Sequence, residues 1–115
     1  MIEILQSKLH RAVVTDANIN YEGSITIPTD LMELIGLHKY QKVLVVDINN
    51  GNRFETYVIE TEKQNYICLN GAAARLVTVG DRIIIMAFKF IDNVPADYKP
   101  KIIVLGENNE VIGVD

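Results

Sequence analysis

The sequence predicts a mainly β protein, a small closed β-barrel with one or two short helices. Segments rich in β-branched residues recur at short spacing along the 115 residues, which is typical of strands in compact β folds. Only one segment has the apolar spacing of an amphipathic helix. A chain of this length forms one domain, and closing its sheet into a barrel would remove exposed edge strands.

The first third of the chain predicts two extended segments. Residues 8–19 contain the β-formers Val13, Val14 and Thr15. Residues 21–27 form the second segment, which Pro28 ends because proline cannot donate to a ladder of hydrogen bonds.

Residues 29–37 predict the one clear helix. Asp30 is the expected cap and Gly36 the expected stop. Leu31, Leu34 and Ile35 have the spacing of one helical face. This helix is expected to be structural.

The middle of the chain predicts a hairpin. Residues 42–48 are rich in valine and residues 53–60 return as a second strand. Between them, residues 49–52 read Asn-Asn-Gly-Asn, and both residue types accept the positive φ of tight turns.

The last part of the chain predicts shorter elements. Strands are expected at residues 66–69, 82–90, 101–105 and 111–114, with a turn into small residues at 70–75.

Charge and composition exclude several classes of function. The net charge is −4, which argues against a nucleic-acid partner. The longest apolar run, residues 83–88, is too short to cross a membrane, and the first residues lack the apolar core of a signal peptide. A cytoplasmic protein without a membrane partner is therefore expected.

Metal ligands are scarce. The two histidines, His10 and His38, have no spacing typical of a metal site, so no metal is expected. The single cysteine, Cys68, cannot form an intrachain disulfide and is expected to be a small buried hydrophobe.

The most informative motif is Tyr21-Glu22-Gly23-Ser24. The hydroxyl of Ser24 can attack the unshielded carbonyl of Gly23 and turn the amide into an ester, a step that a strained turn favours. Elimination would then cut the chain, and hydrolysis would leave a pyruvoyl group at the new N-terminus. The alternative is an ordinary Gly-Ser turn.

Two further groups can act on a small anionic substrate. Alternation along a strand places Arg53, Glu55 and Tyr57 on one face, where an arginine and a tyrosine could hold a carboxylate and deliver a proton. The alternative is a surface ion pair between Arg53 and Glu55. The turn at residues 70–74 exposes backbone N–H groups that can receive an anion, or it simply begins a helix.

Four segments together resemble the bacterial aspartate 1-decarboxylase family, and the resemblance runs from Met1 to about Phe90. They are Lys8-Leu9-His10-Arg11, Tyr21-Glu22-Gly23-Ser24, Asn50-Gly51-Asn52-Arg53-Phe54-x-Thr56-Tyr57 and Asn70-Gly71-Ala72-Ala73-Ala74. The chain departs from the pattern in two places: Ile25 stands where members can carry cysteine, and Val45-Val46 stands where some members carry tryptophan.

The resemblance implies a double-psi β-barrel, assembled as a homotetramer with active sites between subunits. It implies self-cleavage into a β chain, residues 1–23, and an α chain, residues 24–115. It also implies decarboxylation of L-aspartate to β-alanine and carbon dioxide, which feeds pantothenate synthesis. The cofactor would be a pyruvoyl group made from Ser24, which forms a Schiff base with the substrate, without metal or pyridoxal phosphate. Unassisted cleavage and cleavage with a maturation factor remain alternatives.

The resemblance also implies residue roles. Arg53 and Lys8 would bind substrate carboxylate, and Tyr57 would donate the proton after carbon dioxide leaves. Thr56 and Asn70 would support self-processing. The remaining site residues would line the pocket, namely Gly71, Ala72 and Ala73, or lie near the cleavage turn, namely His10, Tyr21 and Glu22.

A competing interpretation is a binding module. Small β-barrels of this size also serve as assembly or transcription-factor domains. In that case Gly23-Ser24 is a turn and Arg53 is a surface charge.

Overall fold

Strands dominate the computed structural model, which describes residues 1–115. The nine strands are β1 (Ile2–Val13), β2 (Asp16–Asn18), β3 (Ser24–Pro28), β4 (Lys42–Asp47), β5 (Arg53–Thr61), β6 (Cys68–Asn70), β7 (Arg82–Ile91), β8 (Lys101–Leu105) and β9 (Val111–Val114). The helices are α1 (Thr29–Ile35) and a 3-10 helix (Gly71–Leu76). The predicted mainly β fold with one or two short helices is confirmed.

All nine strands belong to one hydrogen-bonded sheet, in the order β2-β6-β3-β5-β4-β7-β1-β8-β9. The end strands β2 and β9 do not pair with each other, so backbone hydrogen bonds leave the sheet open where the sequence predicted closure. These two strands have only three and four residues, which keeps the exposed edges short.

Strand β3 lies inside the sheet between two partners that follow it in the chain. It pairs in parallel with β5 and antiparallel with β6. All five of its residues, Ser24–Pro28, are buried. Strand β3 is therefore held from both sides from Ile25 onward, and Ser24 is held by β6 alone.

The core lies on one face of the alternating strands. In β4 the side chains of Val43 and Val45 are buried, and in β7 those of Ile83 and Ile85 are buried. They belong to a cluster of 21 buried apolar residues. The period-2 pattern of the sequence places them there.

Helix α1 corrects two expectations. It starts at Thr29, one residue before Asp30, so Asp30 lies in the first turn and its carboxylate accepts only from the N–H of Leu31, at 2.9 Å. The buried residues of α1 are Leu31, Met32 and Ile35, whereas Leu34 is exposed. At 100° per residue, Met32 and Leu34 are equally far from the direction midway between Leu31 and Ile35, so the helical period does not decide which of the two faces the core. Gly36 ends the helix at φ +71°, as predicted.

Several strand boundaries also differ from expectation, and β6 begins at Cys68, two residues after the predicted start. Strand β1 begins at Ile2, six residues before the predicted start, and has register shifts between Leu5 and Ser7 and between His10 and Ala12. Such bulges break the period-2 pattern that prediction depends on. In the second segment, residues 21–23 are exposed and not extended strand, and β3 begins only at Ser24.

Candidate active site

The Gly23-Ser24 bond joins an exposed turn to a buried strand. Tyr21, Glu22 and Gly23 are exposed, whereas Ser24 is 1% exposed and opens β3. The bond is therefore accessible from one side, and the residue that follows it is held in place by β6.

Three polar groups surround the Ser24 hydroxyl. Its Oγ donates to the carbonyl oxygen of Glu22 at 3.3 Å and accepts from Asn70 Nδ2 at 2.9 Å. The same Nδ2 donates to Thr26 Oγ1 at 3.0 Å. The antiparallel register pairs Ser24 directly with Asn70. Asn70 thus contacts the predicted nucleophile itself, and its role in processing stays a prediction.

Gly71 packs against the backbone of residues 21–23, the cleavage turn. Its φ is +66°, and a Cβ at this position would come within 2.7 Å of the Gly23 nitrogen and 2.9 Å of the Tyr21 carbonyl oxygen. Real Cβ atoms do not approach so closely, so the turn requires glycine at position 71.

Gly23 itself has neither property. Its φ is not positive, and a Cβ there would meet nothing within 4 Å. The positive φ and the close backbone approach that require a glycine are therefore found at Gly71, on the neighbouring segment, and not at Gly23.

Two clefts flank the cleavage turn. The serine cleft, of about 230 Å³, includes Tyr21, Glu22, Ser24 and Tyr57 in its lining. The glycine cleft, of about 380 Å³, is lined by a second set of predicted residues: Gly23, Thr56, Tyr57, Ala72 and Ala73. Tyr57 lines both clefts.

Four residues of the serine cleft were not predicted as site residues: Lys39, Tyr40, Ile59 and Glu60. The Tyr40 ring lies 6.2 Å from that of Tyr57, and Lys39 Nζ lies 5.1 Å from the centre of the Tyr40 ring. Tyr40 has a φ of +71°, and its N–H donates to the Val58 carbonyl at 2.7 Å. No local sequence pattern predicts that Tyr40 packs near Tyr57, because this contact depends on how the α1–β4 connection lies against β5.

Arg53 lies exposed at the start of β5 and makes no ion pair. The alternative pairing with Glu55 is not formed, since Glu55 pairs with Lys42 across the hairpin at 3.2 Å. The adjoining turn is anchored to the 3-10 helix: Asn50 and Asn52 both donate side-chain hydrogen bonds to the Leu76 carbonyl, at 3.0 and 2.9 Å. The guanidinium is thus carried on a fixed turn and makes no ion pair, and Arg53 lines neither the serine cleft nor the glycine cleft.

Lys8 and His10 are not brought to the clefts. They lie on β1, which three strands separate from β3 in the sheet, and neither lines a cleft that contains Gly23 or Ser24. Burial lowers the pKa of His10, and the nearby charges of Lys8 and Arg11 lower it further. His10 Nδ1 is buried without a hydrogen-bond partner.

The largest surface depression, of about 540 Å³, lies elsewhere and includes no predicted site residue. No group of three or more His, Cys, Asp or Glu side chains could hold a metal ion. None of the helices has the length and apolar character needed to span a membrane.

Comparison with known proteins agrees with this geometry. The sequence model of the family described as aspartate decarboxylase matches residues 1–112. The chain belongs to the aspartate decarboxylase family. The aspartate 1-decarboxylase of Caldicellulosiruptor saccharolyticus is 55% identical over 97% of this chain and 89% of its own length.

Other relatives are similarly close. The aspartate 1-decarboxylase of Thermoanaerobacter pseudethanolicus is 53% identical over 96% of this chain and 97% of its own. That of Campylobacter fetus is 54% identical over 96% of both chains. Membership of the aspartate decarboxylase family thus covers both sides of the Gly23-Ser24 bond and the clefts beside it.

Proposed function

We propose that this chain is an aspartate 1-decarboxylase that cuts itself between Gly23 and Ser24 and then converts L-aspartate to β-alanine and carbon dioxide. The observation that carries the proposal is the buried Ser24 hydroxyl, held by Asn70 at the edge of an exposed turn, in a chain of the aspartate decarboxylase family. Its product would feed pantothenate synthesis in the cytoplasm.

Self-cleavage follows from the chemistry of Ser24. Its Oγ adds to the Gly23 carbonyl carbon, the C–N bond breaks, and the hydroxyl proton passes to the departing amine. Loss of the Ser24 Cα proton then expels the Gly23 carboxylate, which cuts the chain and leaves a carbon–carbon double bond. Water replaces the nitrogen of residue 24, which leaves as ammonia, and a ketone remains.

Thr56 is the residue placed to assist the first step. It lines the glycine cleft together with Gly23. A hydroxyl donor there can stabilise the negative charge that develops on the Gly23 carbonyl oxygen.

The two fragments would stay together after cleavage. In the N-terminal fragment, β1 pairs with β7 and β8, and β2 pairs with β6. Residue 24 stays at the start of β3, where it pairs with Asn70 of β6, and the pairing of β3 with β5 begins at the next residue, Ile25. These residues therefore suit a group made from Ser24, because the new terminus is held in place beside two clefts.

A pyruvoyl group at residue 24 would supply an electrophilic ketone that binds the substrate amine and accepts electrons as carbon dioxide departs. The chain's own side chains do the rest. Arg53 binds a substrate carboxylate, since its guanidinium is unpaired and forked. Tyr57 lines both clefts and donates the proton that replaces the lost carboxylate.

The clefts of one chain lack Lys8 and His10. We propose that a homotetramer completes the site, with these residues reaching the cleft of a neighbouring copy. A maturation factor is then needed only if the assembled chain cleaves slowly by itself.

Intact-mass spectrometry of freshly purified and incubated protein tests the proposal. The parent chain should convert to fragments 1–23 and 24–115, and hydroxylamine should modify residue 24. Ser24→Ala should stay in one piece and form no β-alanine from aspartate. A chain that makes β-alanine without cleavage, or a cleaved Ser24→Ala protein, would contradict it.

A further inference from the structure

The Asn70 carboxamide is buried and fully hydrogen-bonded. Its NH2 group donates to Ser24 Oγ and Thr26 Oγ1, at 2.9 and 3.0 Å. Its oxygen, Oδ1, accepts from the thiol of Cys68 at 3.2 Å. Asn70 and Cys68 are 4% and 2% exposed, so water does not compete for these contacts.

Strand register assembles this cluster. Cys68 and Asn70 are two residues apart on β6 and therefore share a face. The antiparallel register places them opposite Thr26 and Ser24 respectively. The result is a polar cluster of four residues, Ser24, Thr26, Cys68 and Asn70, within an otherwise apolar region.

A carboxamide in this position has two orientations. One points its NH2 group at the two hydroxyls, and the other, rotated by 180°, points its oxygen at them. In the second orientation the Ser24 hydroxyl would donate to Asn70 instead of to the Glu22 carbonyl. The attacking oxygen would then be oriented by a different partner.

The third contact selects between the two orientations. Burial raises the pKa of the Cys68 thiol, although a hydrogen bond from Tyr66 opposes this effect. The thiol is therefore protonated at neutral pH and can donate to Oδ1, whereas in the rotated orientation its sulfur could serve the NH2 group only as a weak acceptor.

We propose that Cys68 is a positioning residue for self-cleavage: its thiol fixes the Asn70 carboxamide with the NH2 group toward Ser24 Oγ. This inference rests on the proposed function, because it assigns a role in the cleavage of the Gly23-Ser24 bond. Cys68 acts through Asn70 and does not itself touch the bond that breaks.

The test compares initial cleavage rates of purified precursors by intact-mass spectrometry. Cys68→Ala removes the donor and should cleave about tenfold more slowly. Cys68→Ser keeps a donor and should cleave within about threefold of the parent. Cys68→Val, which fills the space without donating, should match Cys68→Ala. Ile67→Val is the matched control, since it removes volume beside Cys68 and no polar contact.

A double-variant cycle separates positioning from packing. In an Asn70→Ala background, Cys68→Ala should have no further effect on the cleavage rate. Thermal unfolding shows which variants are folded. If Cys68→Ala is not folded, the cleavage rates of Cys68→Ser and Cys68→Val are compared instead, and a faster Cys68→Ser supports the role of the donor.

Two results would overturn the inference alone. The first is that the parent cleaves and Cys68→Ala or Cys68→Val cleaves at the same rate as the parent. The second is that Cys68→Ser cleaves as slowly as Cys68→Ala and Cys68→Val. A parent chain that never cleaves would overturn the proposed function and this inference with it.

Discussion

Gly71 lies so close to Gly23 that a Cβ on Gly71 would come within 2.7 Å of the Gly23 nitrogen. The two glycines are separated by 48 positions in the numbering, yet one shapes the turn that contains the other. The cleavage turn is thus set partly by a residue on the next segment of the site.

Gly71→Ala should slow self-cleavage by at least about tenfold, because the turn at residues 21–23 must shift to make room for a methyl group. The matched control is Gly51→Ala. Gly51 also has a positive φ, +79°, but a Cβ there would meet nothing within 4 Å. Both variants should lose about 1 kcal/mol of stability from backbone strain. Equal cleavage rates in the two variants would contradict the role of Gly71.

Substitutions at Thr56 and Tyr57 should affect different steps, self-cleavage for Thr56 and turnover of aspartate for Tyr57. Thr56 lines only the glycine cleft, so Thr56→Val should slow self-cleavage by roughly 10²–10³-fold. Tyr57→Phe should cleave normally but form β-alanine roughly 10²–10⁴-fold more slowly per cleaved chain. The measurements are the cleaved fraction by mass spectrometry and β-alanine formed per residue-24 ketone. Normal turnover by Tyr57→Phe would show that Tyr57 is not the proton donor.

Arg53→Lys should lower kcat/KM for aspartate by about 10- to 100-fold, since lysine keeps the charge but not the forked pair of donors. Glu55→Gln is the control on the same strand. It breaks only the exposed pair with Lys42 and should leave kcat/KM within about twofold. Both proteins should cleave like the parent. A near-normal kcat/KM in Arg53→Lys would show that Arg53 is an ordinary surface residue without a role in substrate binding.

Asp47 should make stability depend on pH. It is 0% exposed, Oδ2 has no hydrogen-bond partner, and burial raises its pKa, with the Asp81 carboxyl raising it further. The folded state therefore binds the proton more tightly than the unfolded state. The stabilising contribution of Asp47 is present below the unfolded pKa of about 3.9 and is lost as the pH rises through the folded pKa.

Asp47→Asn should accordingly raise Tm at pH 7 to 8 by about 4 °C, and the gain should vanish near pH 3 to 4. Asparagine keeps the Oδ1 that accepts from the N–H groups of Asn49 and Asn50, at 2.8 and 3.3 Å. Asp92→Asn, on an exposed loop, is the control for a change of charge without burial. The idea fails if Asp47→Asn is no more stable than the parent at pH 8.

Local patterns predicted the elements that depend on nearby residues. The hairpin of β4 and β5 forms around its Asn-Asn-Gly-Asn turn, and β8 and β9 have the predicted bounds. The bulged start of β1 and the buried face of α1 were predicted incorrectly. In both cases a tertiary contact, and not the local period, decided the outcome.

The sequence by itself determined the mainly β class, the Gly23-Ser24 motif and the family resemblance, because these depend on residue types and short spacings. Only the tertiary structure decided which side chains surround the motif. Asn70 reaches Ser24 across 46 residues of chain, and Cys68 joins them because β6 pairs with β3 in one register. Lys8, although it belongs to the same motif set, stays three strands away. A one-residue change in the register of β6 would turn the side chains of Cys68 and Asn70 to the other face of the sheet. The residues near Ser24 in the sequence do not determine which register forms.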